Sequence, residues 1–231
     1  MTHPLFRDRD AAGRMLAREV VSRHVESPVV YALPRGGVSV AVPVAAALNA
    51  PLDLLLVRKI GVPGQPELAA ASVVDGEWPD IILNEHVMRA VGLSGADIEE
   101  LAGAQLKEIE RRRAMYMRNR PPVAAAGRTA ILVDDGIATG ASMKAAIAAV
   151  RRRKPMAIVV AVPVASRRAV QDMEMKVDEV ICLASPAEFT AVGNYYGDFH
   201  QLDDREVIAL LAGASGAGLA SDPQNRSKAP R

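Results

Sequence analysis

The chain has 231 residues, enough for one large domain or one domain with an insertion, and half of them are apolar, ample for a core. With 28 Lys and Arg against 27 Asp and Glu it carries a net charge of +1, which argues against a general nucleic-acid binder. The single cysteine, Cys182, excludes an internal disulfide framework and a multi-thiolate metal site, and its apolar neighbours predict a buried thiol.

Met1 to Asp10 holds no apolar signal core, and no run approaches about 18 apolar residues, so a cytoplasmic location with no membrane partner is expected. Asp8 to Val25 reads as an amphipathic helix with Met15, Leu16, Val20 and Val21 near one face. Pro28 to Leu33 is the first clear strand. It runs into Pro34-Arg35-Gly36-Gly37 and an Ala/Val-rich helix, Val38 to Asn49, interrupted by Pro43. A strand followed by a Gly-rich turn and a helix start suits an anion, with Arg35 adding charge and Gly36-Gly37 exposing amides. Alone, such a turn more often reads as ordinary punctuation. Leu52 to Val57, apolar but for Asp53, is expected to be a strand in the middle of a parallel sheet, and leads into Arg58-Lys59. Ile60 to Ala71 holds Gly61, Pro63, Gly64 and Pro66 and is expected to be a mobile loop. Ser72 to Val74 and Asp80 to Leu83 suggest a hairpin.

Residues 84–120 are charged and strongly helical, a helical insertion between strands. Ser94 and Asp97 mark a helix start, followed by Ile98, Leu101, Gln105, Leu106, Ile109 and Arg113 at spacings of three or four. The basic run Arg111 to Arg120 reads first as a solvated face. Contact with an anionic ligand is the alternative, and RNA a weaker one, since Tyr116 is the only aromatic there.

Thr129 to Val133 is a short apolar strand ending in Asp134-Asp135. Gly136, Ile137, Ala138, Thr139 and Gly140 follow, then the helix Ala141 to Val150 opening with Ala141-Ser142. Free amides at the helix start, two glycines and the hydroxyls of Thr139 and Ser142 suit a phosphate, and paired carboxylates accept hydrogen bonds from a vicinal diol. A phosphate beside a diol describes a ribose 5-phosphate. A P-loop would need Gly-Lys-Ser/Thr where Gly140-Ala141-Ser142 stands, and the dinucleotide fingerprint is absent. Arg151 to Lys154 ends the helix and reads as structural. Met156 to Val162 and Val177 to Leu183 are two more strands, joined by a helix over Arg167 to Glu174, so the class is a doubly wound, mostly parallel α/β sheet. Of the chain's three Phe, four Tyr and one Trp, four residues fall between Pro186 and His200: Phe189, Tyr195, Tyr196 and Phe199. They suit stacking on a planar ring, and equally packing on the core. Asp203 to Leu211 closes the fold as a helix, and residues 212–231 are expected to be a disordered tail.

Ile131 to Ser142, ILVDDGIATGAS, resembles the 5-phosphoribosyl-1-pyrophosphate (PRPP) signature of type I phosphoribosyltransferases. The resemblance implies that fold over residues 1–211, with 184–202 as a hood that chooses the acceptor through Phe189, Tyr195 and Tyr196. It implies that Asp134 and Asp135 bind the ribose hydroxyls and Mg²⁺, and that 136–142 wrap the 5-phosphate. Arg35, Gly36 and Gly37 take the pyrophosphate loop's place, and Arg58 and Lys59 that of the basic residues of the flexible loop. The implied reaction displaces pyrophosphate from PRPP by a nitrogenous acceptor, with Asp134, Asp135, Lys59 and Arg35 as its catalytic group. Ala138 stands where the purine-salvage branch carries Asp, so the loop does not name the acceptor. A PRPP-sensing regulator on the same fold is the alternative, and a homodimer is an open expectation.

Overall fold

A computed structural model describes residues 4–76, 79–118 and 120–216. Strands β1 (Pro28–Ala32), β2 (Leu52–Leu54), β6 (Thr129–Val133), β7 (Ala157–Val164) and β8 (Glu179–Ala184) form one parallel sheet in the order β2-β1-β6-β7-β8. Side chains alternate across it. Val30, Ala32, Ile131 and Val133 face a core shared with helices α1 (Arg9–Ser22), α2 (Gly36–Leu48) and α7 (Asp204–Gly216). Val29, Tyr31, Ala130 and Leu132 face the opposite core, under α5 (Ala141–Arg152) and α6 (Arg167–Glu174). Burial on both faces is what near-continuous apolar strands require. Ala32 lies opposite Val133, so β1 and β6 end level and release the Arg35 turn and the acid pair at the same edge.

The expected doubly wound sheet is present, with several corrections. The buried face of α1 is Arg9, Ala12, Gly13, Leu16, Ala17 and Val20, while Met15 and Val21 are exposed. Small residues bring α1 close to α2, and the ring of Pro43 lies against Gly13. Pro43 sits inside α2 without ending it, and the helix starts at Gly36, two residues earlier than expected.

Leu52 to Val57 is not one central strand. β2 is three residues long and lies at the sheet edge, and the chain then enters a separate antiparallel sheet of β3 (Val57–Val62), β4 (Gln65–Val74) and β5 (Asp80–Leu83). Asp53 accepts the Leu54 N–H and Asp75 the Leu56 N–H, both at 2.7 Å, so carboxylates replace a neighbouring strand as backbone partners. Nor is Ile60 to Ala71 a loop. It is the β3–β4 hairpin, with Lys59 opposite Ser72 and register shifts at Gly61. The Gly and Pro residues mark a bulge and the turn at Pro63-Gly64. The expected β4–β5 hairpin is present, with Val74 opposite Asp80.

The insertion holds α3 (Glu85–Val91) and α4 (Gly95–Met117), the latter opened by the expected Ser94/Asp97 capping box. Its basic run divides. Arg111 and Arg112 pair with Glu108 at 2.8 and 2.6 Å, as a solvated face would. Arg113 turns inward and bridges Asp53 at 2.9 Å and Asp75 at 2.5 Å. After α5, Arg152 pairs with Asp80, while Arg151 and Arg153 donate to the Lys176 and Asp75 carbonyls, a structural role as expected. Helix α7 extends to Gly216, so the stretch expected to be a tail is helical at its start, and residues 217–231 lie outside the described residues.

Candidate active site

Strand β6 delivers Asp134 and Asp135 to the carboxyl edge of the sheet, where ligands of open α/β folds bind. The loop after them is fixed from outside. The Ile137 N–H donates to the Val164 carbonyl, the Ser166 N–H to Ile137, and the Ser166 hydroxyl to the Ala138 carbonyl at 2.8 Å. Gly140 ends the loop as the N-cap of α5 with φ +75°, a conformation that strains any residue with a Cβ. The result is a pocket of about 190 Å³ lined by Asp134, Gly136 to Met143, Lys59 and Val192. Thr139 and Ser142 are among the residues that line it, beside the start of α5.

The acids are held differently. Asp134 lines the pocket, and its Oδ1 accepts the Asp135 N–H at 2.8 Å. Asp135 Oδ2 accepts from Arg9 Nε at 2.8 Å, and its carbonyl accepts from the Tyr196 hydroxyl at 2.5 Å. Burial first, then the adjacent Asp135 charge, pushes the Asp134 carboxyl well above the usual carboxylate range. Burial also raises Asp135, and Arg9 pulls it back down. The PRGG turn closes on the same pair. A Cβ on Gly36 would stand 1.9 Å from Asp135 Oδ2, and one on Gly37 would stand 2.8 Å from the Val133 carbonyl oxygen, so both glycines permit the close approach. Arg35 caps α2 and lies 3.9 Å from Asp204, whose carboxylate accepts from the Tyr116 hydroxyl of α4 at 2.5 Å.

The structure therefore gathers Asp134, Lys59 and residues 136–142 around one space, with Asp135, Gly36 and Gly37 packed behind it. Lys59 and Arg58 separate, because neighbouring residues of a strand face opposite ways. Arg58 turns to the insertion and donates to Gln105 Oε1 at 3.1 Å. The aromatic expectation divides too. Tyr196 is buried, with ring centroids 5.3 Å from Phe6 and 5.1 Å from Phe199, so it supports the hood from the core instead of offering a stacking face. Phe189 and Tyr195 pair at 5.5 Å and stay half-buried. Val192 is the residue of this segment that reaches the pocket, and its side chain abuts Gly136. A wider groove of about 1060 Å³ lies between α5 and β4–β5, touching Thr139 and Ala141 from the other side. It is lined by neither acid, whereas Asp134 lines the smaller pocket.

Arg9 carries no motif that marks it in the sequence. A charged residue at the spacing of Ala12, Gly13 and Leu16, on the face that proves apolar, was the available signal. Among the described residues no cluster of three or more His, Cys, Asp or Glu forms a metal cage. One hard carboxylate on the pocket wall, Asp134, with Asp135 behind it, suits Mg²⁺, which is commonly held by one or two acids together with substrate oxygens and water. No helix among the described residues is long and apolar enough to cross a membrane.

The family model of the phosphoribosyl transferase domain matches residues 9–196. Two Mycobacterium tuberculosis proteins, from strains CDC 1551 / Oshkosh and ATCC 25618 / H37Rv, each named "Putative phosphoribosyl transferase", are 43% identical over 231 residues; the match takes in 97% of this chain and 52% of theirs. The chain thus spans about half the length of these curated relatives. The crystal structure of TT1426 from Thermus thermophilus is 44% identical, with a TM-score of 0.79 over 90% of this chain and 98% of that one. With the family model covering the sheet, the acid pair, the loop and most of the hood, the chain belongs to the type I phosphoribosyltransferase family.

Proposed function

We propose that the chain transfers a 5-phosphoribosyl group from PRPP to a nitrogenous acceptor with release of pyrophosphate, in the presence of Mg²⁺. The observation that carries this reading is the convergence of Asp134, Lys59 and the 136–142 loop on one pocket. The phosphate end of the substrate fits the start of α5, where unpaired amides and the Thr139 and Ser142 hydroxyls stand. Asp134, with Asp135 behind it, accepts from the ribose hydroxyls and stabilises the positive charge that develops at C1. Asp134 and Asp135 would be the residues to hold Mg²⁺, whose charge would offset that of the leaving diphosphate. Lys59 faces that diphosphate from β3, and Arg35 approaches it from the PRGG turn once released from Asp204. The acceptor lies beside Val192, with Phe189 and Tyr195 bounding its place.

The test joins calorimetry of Mg²⁺-PRPP binding to pyrophosphate release over a panel of bases and amines. Lys59→Met is expected to slow pyrophosphate release by about a hundredfold while affecting PRPP affinity far less, because its charge matters most as the diphosphate departs. Binding without turnover by any acceptor supports a PRPP sensor instead. No Mg²⁺-dependent binding at all overturns both readings.

A further inference from the structure

Three distant segments meet at one guanidinium. Arg9 opens α1, yet its side chain is only 9% exposed. Its Nε donates to Asp135 Oδ2 at 2.8 Å, its Nη1 donates to the His200 carbonyl at 2.9 Å, and its Cζ lies 3.8 Å over the Phe199 ring. A guanidinium is a rigid fork, so turning it toward one acceptor turns it away from the other. Backbone bonds strap the same region together. The Phe6 N–H donates to the Tyr195 carbonyl, the Gly197 N–H to Phe6, and the Asp198 N–H to Arg7. Asp135 is thus gripped twice, through its carboxylate by Arg9 and through its carbonyl by Tyr196, and both grips lead into residues 195–200.

A buried ion pair roughly breaks even against apolar groups of the same shape, so stability alone does not account for an arginine here. Its geometry does. We infer that Arg9 is a positioning residue that sets the acid pair and the 195–200 segment as one unit, so that the hold on the phosphoribosyl group and the placing of the acceptor change together. This rests on the phosphoribosyltransferase reading of the site. The 195–200 segment then senses an occupied sugar site through Arg9.

The test uses the full chain, Arg9→Met and Arg9→Lys, with Mg²⁺-PRPP as the probe, calorimetry for affinity and amide hydrogen exchange for coupling. In the wild type, saturating Mg²⁺-PRPP is expected to slow exchange both in 137–142 and in 195–200. Arg9→Met should weaken affinity by about tenfold or more and confine the protection to 137–142. Arg9→Lys keeps the charge beside Asp135 but lacks the fork and the flat face over Phe199, so it should regain most of the affinity and little of the 195–200 protection. A role in folding alone would lower the melting temperature of Arg9→Met and leave ligand-induced protection of both segments intact, which would overturn the inference. If the wild type does not bind PRPP, the functional reading fails, and the free proteins still decide the coupling. Exchange at the Asp135 amide and across 195–200 should accelerate together in Arg9→Met, and acceleration of one without the other refutes it.

Discussion

Asp134→Asn is expected to weaken Mg²⁺-PRPP binding by about a hundredfold, the loss of a charged contact in a water-poor site, while leaving the protein folded. Asn keeps an oxygen where Asp134 Oδ1 accepts the Asp135 N–H, so the turn into the loop survives the change. What disappears is the charge, and in the empty protein that charge is a burden. Asp134 sits beside Asp135 with its carboxyl pushed above the usual range, so the folded state resists its ionisation more than the unfolded chain does. A folded-state value above the unfolded one favours the fold at low pH and disfavours it as pH rises through that value. Asp134→Asn is therefore expected to melt above the wild type at neutral pH, the difference closing as pH falls toward the ordinary carboxylate range. Thermal melts at about pH 5 and 8, paired with calorimetry, test both halves. A variant that binds PRPP normally would remove Asp134 from the site, and one that melts below the wild type at the higher pH would show the carboxylate to be structural.

The acid pair and its loop were legible because their chemistry is local. A strand, two acids, small residues and a helix start follow one another without a break from Thr129 to Ser142, and each signal constrains its neighbour. The Ser94/Asp97 cap and the α6 limits were read for the same reason. The failures share the opposite cause. Within Leu52 to Val57 the one local signal was Asp53, whose carboxylate takes the Leu54 amide; the rest comes from far along the chain, Asp75 taking the Leu56 amide and Arg113 donating to the Leu54 carbonyl at 3.4 Å. Similarly, Ile60 to Ala71 looks like a loop from its Gly and Pro content, yet its halves pair with each other, Ile60 opposite Ala71 and Val62 opposite Gln65, and α4 and α5 pack against the hairpin. Arg9 and Tyr196 act on Asp135 from 126 and 61 residues away. The contiguous loop was readable, and Val192 and Arg9 were not, since only the fold brings them beside it.

Arg113→Met is expected to destabilise the protein by about 3–5 kcal/mol at neutral pH, the usual loss when one partner of a buried ion pair is removed. Asp53 and Asp75 side chains are each 2% exposed and share this arginine, which also meets the Leu54 carbonyl. Burial pushes the Asp75 carboxyl up to about 6 even with Arg113 beside it, so without the guanidinium both acids would face desolvation unpaired. The pH dependence follows. Asp75 already favours the folded state at low pH and costs stability as pH rises through about 6, and losing Arg113 moves that transition upward and deepens it. Urea unfolding should show the largest gap between variant and wild type near about pH 8 and a smaller one near about pH 5, where Asp75 takes up a proton. The triple change Arg113→Met, Asp53→Asn, Asp75→Asn should recover part of the loss, since it buries no net charge. Function should suffer beyond stability, because these contacts fix where the chain leaves the parallel sheet and begins the strand that carries Lys59. In the cold, where the variant stays folded, pyrophosphate release should fall more than Mg²⁺-PRPP affinity, as for Lys59→Met; equal losses in both would place Lys59 independently of the triad.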